Sequence, residues 1–281
     1  MEIWENGTKV AIPVNNTIIG DFKETNTKIT FKGSGNILCC EDDTRLADCN
    51  ITFCSDNAVV YLAANRRHWT KVKIDAWRDV SVYVGRNNYF NGVLTAIVSE
   101  RKNLIIGDNG VFSFGVFMRT ADPHLVYSIA SGKRLNPSKS IVIGDHVWLG
   151  QNALILKGTA IGSGSVLAAG AVIAGKKAPS HTVWGGNPAR QIQEGIFFTG
   201  DSVHNYTAEQ TEASMATDDK RYIYQEGKKT VTMKKADSRL AGKSPGERLA
   251  ILRELAAENT DRNRLFIPMD KPHGLRAVFG K

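Results

Sequence analysis

Between Ile141 and Gly175 the chain repeats itself every six residues. Ile143, Leu149, Ile155, Ile161, Leu167 and Ile173 hold one beat without a miss. The following residue is small in five of six cases (Gly144, Gly150, Gly162, Ala168, Ala174). The fourth after the beat is small or β-branched in five of six (Val147, Ala153, Thr159, Ser165, Ala171), with Lys177 breaking the series. An amphipathic helix would space apolar residues three and four apart, and a half-buried strand would alternate in twos. A strict six fits neither. It predicts a β-helix whose short flat strands meet at tight corners. The beat residue fills the interior, and the next is small because the chain turns there. Three hexads make a coil of 18 residues, and coils stack about 4.8 Å apart, like strands in a sheet.

The pattern loosens on either side. Over about 15–100, "TKITFKGSGNILCC", "CNITFCSDNAVVYL" and "VSVYVGRNNYF" are alternating runs parted by Gly, Asn and Asp. They predict wider, less regular coils of the same solenoid. Ile106, Phe112 and Met118 restart the beat, which lapses from Arg119 to Ser140 and resumes at Ile143. An interruption of that length predicts an extruded loop within 119–142, and such loops in compact proteins are often functional. The repeat fades after "APSHTVWGGNPARQI", which puts a β-helix domain at 1–200 and a polar C-terminal extension at 201–281. Within the extension a helix is predicted at about 245–262: Ser244 is the N-cap, Pro245 takes the first turn and Glu247 completes a capping box. Its stripe of Leu249, Ile251, Leu252 and Leu255 suits docking on the solenoid's open end, over its unpaired edge. Binding a separate partner is the alternative.

Composition narrows the picture. With 281 residues and 42% hydrophobic content the chain can bury a large core, and 26 glycines against 8% aromatics suit a narrow repetitive interior. The stretch "MEIWENGTKV" is no basic, apolar signal segment, and no run is long enough to span a bilayer, so a cytoplasmic location is expected. Cys39, Cys40, Cys49 and Cys54 lack metal-site spacing and are expected as reduced, mostly buried thiols. Cys39 and Cys40 should face opposite ways along a strand. A net charge of +8 favours an anionic partner. Coenzyme phosphates, an acidic polysaccharide or an anionic membrane surface all meet that condition. No nucleic-acid motif accompanies the charge.

Two residues suggest chemistry. His124 lies in the interrupted segment, within "ADPHLVY", and histidine is the commonest general base near neutral pH. Trp148 falls five residues after a beat, so the hexad sends it outward, where a large aromatic usually has something to cover. Trp184 falls 36 residues later, two coils of 18, which predicts one outer column holding both rings. A metal enzyme of the same fold would need three clustered histidines, and the local sequence supplies His124 and His146 alone, so no metal is expected.

The hexads, the loop carrying "DPH", the segment "GDHVWLG" and the closing "GGNPAR" together resemble the hexapeptide-repeat O-acetyltransferases. Within these, "ADPHLVYSIASGKRLNPSK" leading into "SIVIGDHVWLGQN" resembles the bacterial capsular polysaccharide and polysialic acid O-acetyltransferases. The resemblance is strong over about 84–195, weaker over 20–83 and absent beyond about 205. It implies a left-handed parallel β-helix, a homotrimer, and acetyl-CoA bound in clefts between subunits. The acceptor it implies is an acidic or neutral bacterial polysaccharide, met in the cytoplasm or beside capsule-synthesis machinery at the inner membrane. His124 matches the catalytic base. Trp148 matches the active-site tryptophan, donating to the oxyanion or walling the coenzyme arm. Gln151, Ala168 and Ala169 match positions along the pantetheine, with Trp184 beside the same cleft. Lys176, Lys177 and Arg190 match the phosphate end. Asn91 matches an acceptor-contacting asparagine, and Asp122 is placed to orient His124 or to shape its turn. Ala174 departs from relatives that carry an aromatic there. N-acetylation of an amino sugar or nucleotide sugar, and a non-catalytic β-helix binding module, are the alternative functions.

Overall fold

The computed structural model describes residues 2–5, 8–9, 15–227, 232–257 and 264–269, the first two segments as backbone strands. Among these residues, coil after coil stacks in parallel register to make a three-sided prism with sheets of nine, eight and six strands. The chain passes in turn through a first sheet (for example Val72–Ala76, Leu94–Val98 and Leu154–Leu156), a second (Val59–Leu62, Ser81–Val84, Ile141–Ile143) and a third (Val111–Phe112, Trp148–Leu149, Val166–Leu167). The lower coils are the wider ones: Ser81 pairs with Asn103 and Thr95 with Phe117, 22 residues apart. Above the loop Trp148 pairs with Val166 and Leu154 with Val172, 18 apart. Every beat residue from Ile106 to Ile173 is buried.

The structure relocates the turn. The residue after the beat is small because the next coil's backbone runs against it. A Cβ on Gly144 would lie 2.5 Å from the amide nitrogen of Ser163, and one on Gly150 2.5 Å from that of Ala169. The left-handed conformation falls three residues after the beat instead, at His146 (φ 50°), Asn152 (56°), Gly158 (77°), Gly164 (76°) and Gly170 (67°). This φ is sterically costly for most side chains and tolerated by Gly, Asn and, less readily, His.

The last coil is one residue short. Val142 pairs with Ala160, but Ala160 pairs with Lys177, and Val166 with Val183, 17 residues on. The missing residue lies between Ala174, which pairs with Leu156, and Gly175, whose N–H donates to the Lys157 carbonyl. A one-residue slip exchanges inside for outside along a strand. Lys177 therefore leaves the small-residue column, and Ala178 takes the interior beat beside Ile161.

The two larger sheets differ in their outer faces. Val72–Ala76 and Leu94–Val98 alternate buried and partly exposed positions, as expected of strands wet on one side. Val59–Leu62, Asn103–Ile106 and Ile141–Ile143 are buried at every residue. The extension is the reason. Helices Met233–Leu240 and Pro245–Ala257 pack on the outside of the second sheet, where Leu240, Leu249, Leu252 and Leu255 meet Val59, Tyr61, Tyr83 and Ile105. The helix thus covers a lateral face of the prism, not the expected open end. Its capping box forms: the Ser244 amide donates to Glu247 Oε2 at 2.8 Å and the Glu247 amide to Ser244 Oγ at 3.4 Å. The helix ends at Ala257, and 258–262 of the predicted span lie outside the described residues.

Two buried arginines clamp the extension. Arg248 Nη1 donates to the Val80 carbonyl at 3.0 Å. Arg264, with no exposed side-chain surface, lies 2.6 Å from Asp145 Oδ1 and 2.9 Å from Asp108 Oδ1, and donates to the Leu255 carbonyl. Cys39, Cys40, Cys49 and Cys54 are free thiols, and burial pushes Cys49 up to about 12. Cys40 faces the prism interior and Cys39 the covered outer face, as alternation requires.

Candidate active site

The loop 120–140 leaves the prism at the edge between the first and second sheets and is tied down there by polar side chains. Asn136 is its hub. Its Nδ2 donates to the His124 carbonyl at 2.8 Å and to Asp122 Oδ2 at 3.1 Å, while its Oδ1 accepts the Val126 N–H at 2.9 Å. One side chain thus fixes the backbone on both sides of His124. Two residues of the solenoid edge hold the hub. Lys157 pairs with Asp122 and donates to the Asn136 carbonyl at 3.1 Å. Glu100 takes a forked ion pair from Arg134 and a hydrogen bond from Ser138. Arg134 first, and then the Ser138 hydroxyl, hold the Glu100 carboxyl at about 2, well below its usual range. Lys157 first, with help from Asn136, lowers that of Asp122.

His124 itself is exposed, and among the described residues its ring takes no hydrogen bond. Asp122, expected to orient that ring or shape the turn, bonds Lys157 and Asn136 and so helps to hold the loop, with no hydrogen bond to the ring among the described residues. The hairpin beyond, closed by a bridge between Tyr127 and Arg134, exposes Leu125, Val126, Tyr127, Leu135 and Ile129, the last with its whole surface free. Apolar side chains gathered on a tethered loop mark a contact surface.

Trp148 opens its strand on the third sheet, facing outward and 41% exposed, while Leu149 turns in. This face of the prism lies opposite the edge that carries the loop, so one chain does not bring His124 to Trp148. The Phe198 ring tilts against the indole at 5.9 Å. Phe198 and Tyr222 sandwich the His146 ring, stacked at 4.0 and 4.1 Å. His146 Nε2 meets the Phe198 carbonyl at 2.9 Å. His181 meets the Ile196 carbonyl through Nδ1 and accepts the Tyr224 N–H at Nε2. Between them sits Gly164, where a Cβ would strike the His181 ring at 2.5 Å. The extension is thereby pinned along the corner beside Trp148.

Gln151, Ala168 and Ala169 line the ridge between the third and first sheets, with Ala168 half-buried and the other two exposed. The Gly170 N–H donates to the Gln151 carbonyl at 2.7 Å, so consecutive coils lie in register there. Asn91, also exposed, stands on the same ridge two coils below, about 10 Å away. Trp184 does not share Trp148's column. The column runs Tyr89, Val111, Trp148, Val166, Val183, and Trp184 pairs with Leu167 at an interior position, its Nε1 donating to Thr182 Oγ1. The short last coil turns it inward, against the core. Lys176 and Lys177 are exposed at the edge between the first and second sheets, whereas Arg190 is exposed on a strand antiparallel to Thr182–Gly185 in the third. The three cations share no edge of one chain.

Sequence reasoning missed Asn136, Tyr89 and Phe198. Tyr89, 42% exposed, is the true aromatic companion of Trp148, with the His68 ring edge-on to it at 5.1 Å. Only a correct register through the 22-residue coils would have found it. Among the described residues no group of three or more His, Cys, Asp or Glu is placed to hold a metal ion. No helix among them is long and apolar enough to cross a membrane.

Comparison with known proteins agrees with this architecture. The family of bacterial transferase hexapeptides (six repeats) matches residues 140–175. The polysialic acid O-acetyltransferase of Neisseria meningitidis is 31% identical over 148 residues, 52% of this chain and 67% of that protein. The enzyme of the same name from Escherichia coli O1:K1 / APEC is 32% identical over 161 residues, 57% of this chain and 49% of that protein. The crystal structure of the polySia-specific acetyltransferase NeuO superposes with a TM-score of 0.62 at 29% identity, over 71% of this chain and 92% of that one. With its parallel coils, its interrupting loop and its outward tryptophan, the chain belongs to the hexapeptide-repeat acetyltransferases, built on a left-handed parallel β-helix.

Proposed function

We propose that the protein is an acetyl-CoA-dependent O-acetyltransferase acting on hydroxyls of a bacterial capsular polysaccharide, with each active site completed between two copies of a homotrimer. The observation that carries this reading is the separation of its two reactive features. The His124 loop is tethered at one edge of the prism by Glu100 and Lys157, and Trp148 lies on the opposite face. A second copy whose loop reaches the Trp148 face unites them, and the exposed apolar hairpin of 125–135 supplies the contact. The prism carries the chemistry and the extension braces it. The relatives' named acceptor, an acidic polymer, fits the net charge of +8.

In this reading acetyl-CoA is a substrate that lies along the ridge of Gln151, Ala168 and Ala169. The two alanines leave the backbone there accessible to an extended arm. Arg190 of one copy, with Lys176 and Lys177 of its neighbour, completes the phosphate end. His124 removes the proton from a sugar hydroxyl as that oxygen attacks the thioester carbonyl, then passes it to the leaving thiolate. A sugar hydroxyl is a very weak acid, so deprotonation during attack is what the base contributes. Trp148 walls the cleft, and its indole N–H is available to the oxyanion. Asn136 positions His124 without touching substrate. The test is incubation with acetyl-CoA and a panel of capsular polysaccharides, followed by NMR of the product. Wild type should O-acetylate an acidic polymer, and His124→Ala should lower kcat by ~10²–10⁴-fold. Near-normal transfer by His124→Ala would reject the assignment.

A further inference from the structure

A concave region lies away from Trp148. It is an open cavity of about 570 Å³ where the lower coils leave the second sheet, bordered on one side by Arg253 of helix Pro245–Ala257. One wall is rigid. The Glu41 carboxylate accepts from Tyr61 Oη (2.7 Å), the Ala64 amide (2.9 Å) and Arg86 Nε and Nη2 (3.0 and 2.7 Å). Arg86 Nη1 then reaches the Ala256 carbonyl at 2.6 Å, joining solenoid and extension. Cys39 and Ile19 contribute apolar floor. Arg66 and Arg253 contribute cationic charge beside the Asp42 carboxylate. The Arg66 side chain is 73% exposed and pairs with that of Asp43, 59% exposed, a contact that contributes little and gives way readily. Arg253 makes no ion pair among the described residues, its Nη2 lying 4.0 Å from Cys39 Sγ.

A half-buried, fully bonded ion pair facing empty space is a poor stabiliser, because desolvation offsets its attraction. It presents a fixed polar wall, and two guanidinium groups beside it, one in an exposed pair with Asp43 and one against Cys39 Sγ, suit a carboxylate. The volume accommodates a sugar unit. The position matters as well. Four coils separate the Glu41 level from that of Gly144, and two separate Gly85 from it, so the cavity lies about 10–19 Å below the Trp148 level along the prism axis. A polymer reacting at Trp148 can reach it.

We propose that this cavity is a second, non-catalytic site that binds an acidic sugar unit of the acceptor polymer, held by Arg66 and Arg253 against the Glu41–Arg86 wall. The proposal rests on the reading of the chain as a polysaccharide acetyltransferase. It is tested by equilibrium binding of polysialic acid, a polyuronate and neutral dextran to the full-length protein without acetyl-CoA, using wild type and the double variant Arg66→Ala/Arg253→Ala. Wild type should bind an acidic polymer and not dextran. The double variant should weaken that binding roughly 10-fold, the loss of charge-assisted contacts worth one decade. KM for the polymer should rise by the same factor at unchanged kcat. Equal binding by variant and wild type, or no acidic polymer bound by wild type, overturns the site. If arginine-dependent binding appears without acetyl transfer to any polymer, the site stands and the proposed activity falls.

Discussion

The second and third sheets of the prism carry comparable rows of large outward side chains and treat them oppositely. On the second the row is Cys39, Tyr61, Tyr83, Ile105, Val142, paired strand to strand, and every member is buried beneath the extension. On the third the row is Tyr89, Val111, Trp148, Val166, Val183, and both its aromatic rings stand more than two-fifths exposed. One row is finished within the chain; the other stays open, and in the proposed reading it meets a substrate and a neighbouring copy. Apolar side chains are covered on one face and exposed on the other, and what decides is the segment that follows the solenoid.

The comparison breaks most severely at Arg264. Replacing it with Met leaves Asp108 and Asp145 buried without their shared cation, which should lower unfolding free energy by about 3–5 kcal/mol. Chemical denaturation measures this, and a change below about 1 kcal/mol would show that the extension is only loosely laid on the prism. Leu252→Ala, at a fully buried position beneath that extension, should cost about 2–4 kcal/mol and leave turnover per folded molecule intact. Trp148→Ala should do the reverse. An exposed ring contributes little to folding, so stability should move by less than about 1 kcal/mol while acetyl transfer falls. If Trp148→Ala destabilises as much as Leu252→Ala, the two rows are alike and the contrast fails.

A smaller effect sharpens the loop's role. Glu100 has a folded value of about 2, below the ordinary carboxylate value of 4.5. A lowered carboxylate value contributes its stabilisation fully above the ordinary value and loses it as pH falls through the folded one. The tether should therefore weaken between about pH 4.5 and pH 2. Proteolysis within 120–140 should rise over that window in wild type, and Glu100→Gln should show it already at neutral pH.

Much of this was legible in the residues. The beat of six gave the coils, the interior and the loop's limits, because each coil repeats one steric requirement at one spacing. The uninterrupted apolar runs "VVYL", "LII" and "IVI" also signalled a sheet covered on both faces, a cue that would have placed the helix laterally rather than on the open end. Trp184 was misplaced because a single missing residue between Ala174 and Gly175 leaves the apolar beat almost intact while reversing the face. Arg248 and Arg264 were illegible, since nothing local distinguishes an arginine headed for a buried carbonyl or carboxylate from one in water. Asn136 was equally silent: its role depends on two loop backbone groups and the Asp122 carboxylate, which converge only once the chain has folded.

The shared active site is most directly tested by mixing two broken chains. His124→Ala and Trp148→Ala subunits carrying different tags would be co-expressed, and assemblies containing both would be isolated by sequential affinity steps. Each variant alone should be nearly inactive. In mixed assemblies some clefts combine the intact loop of one copy with the intact Trp148 face of another, and acetyl transfer should recover to a substantial fraction of wild type. Mixed assemblies as inactive as either parent would place His124 and Trp148 in the same chain's site and contradict the account.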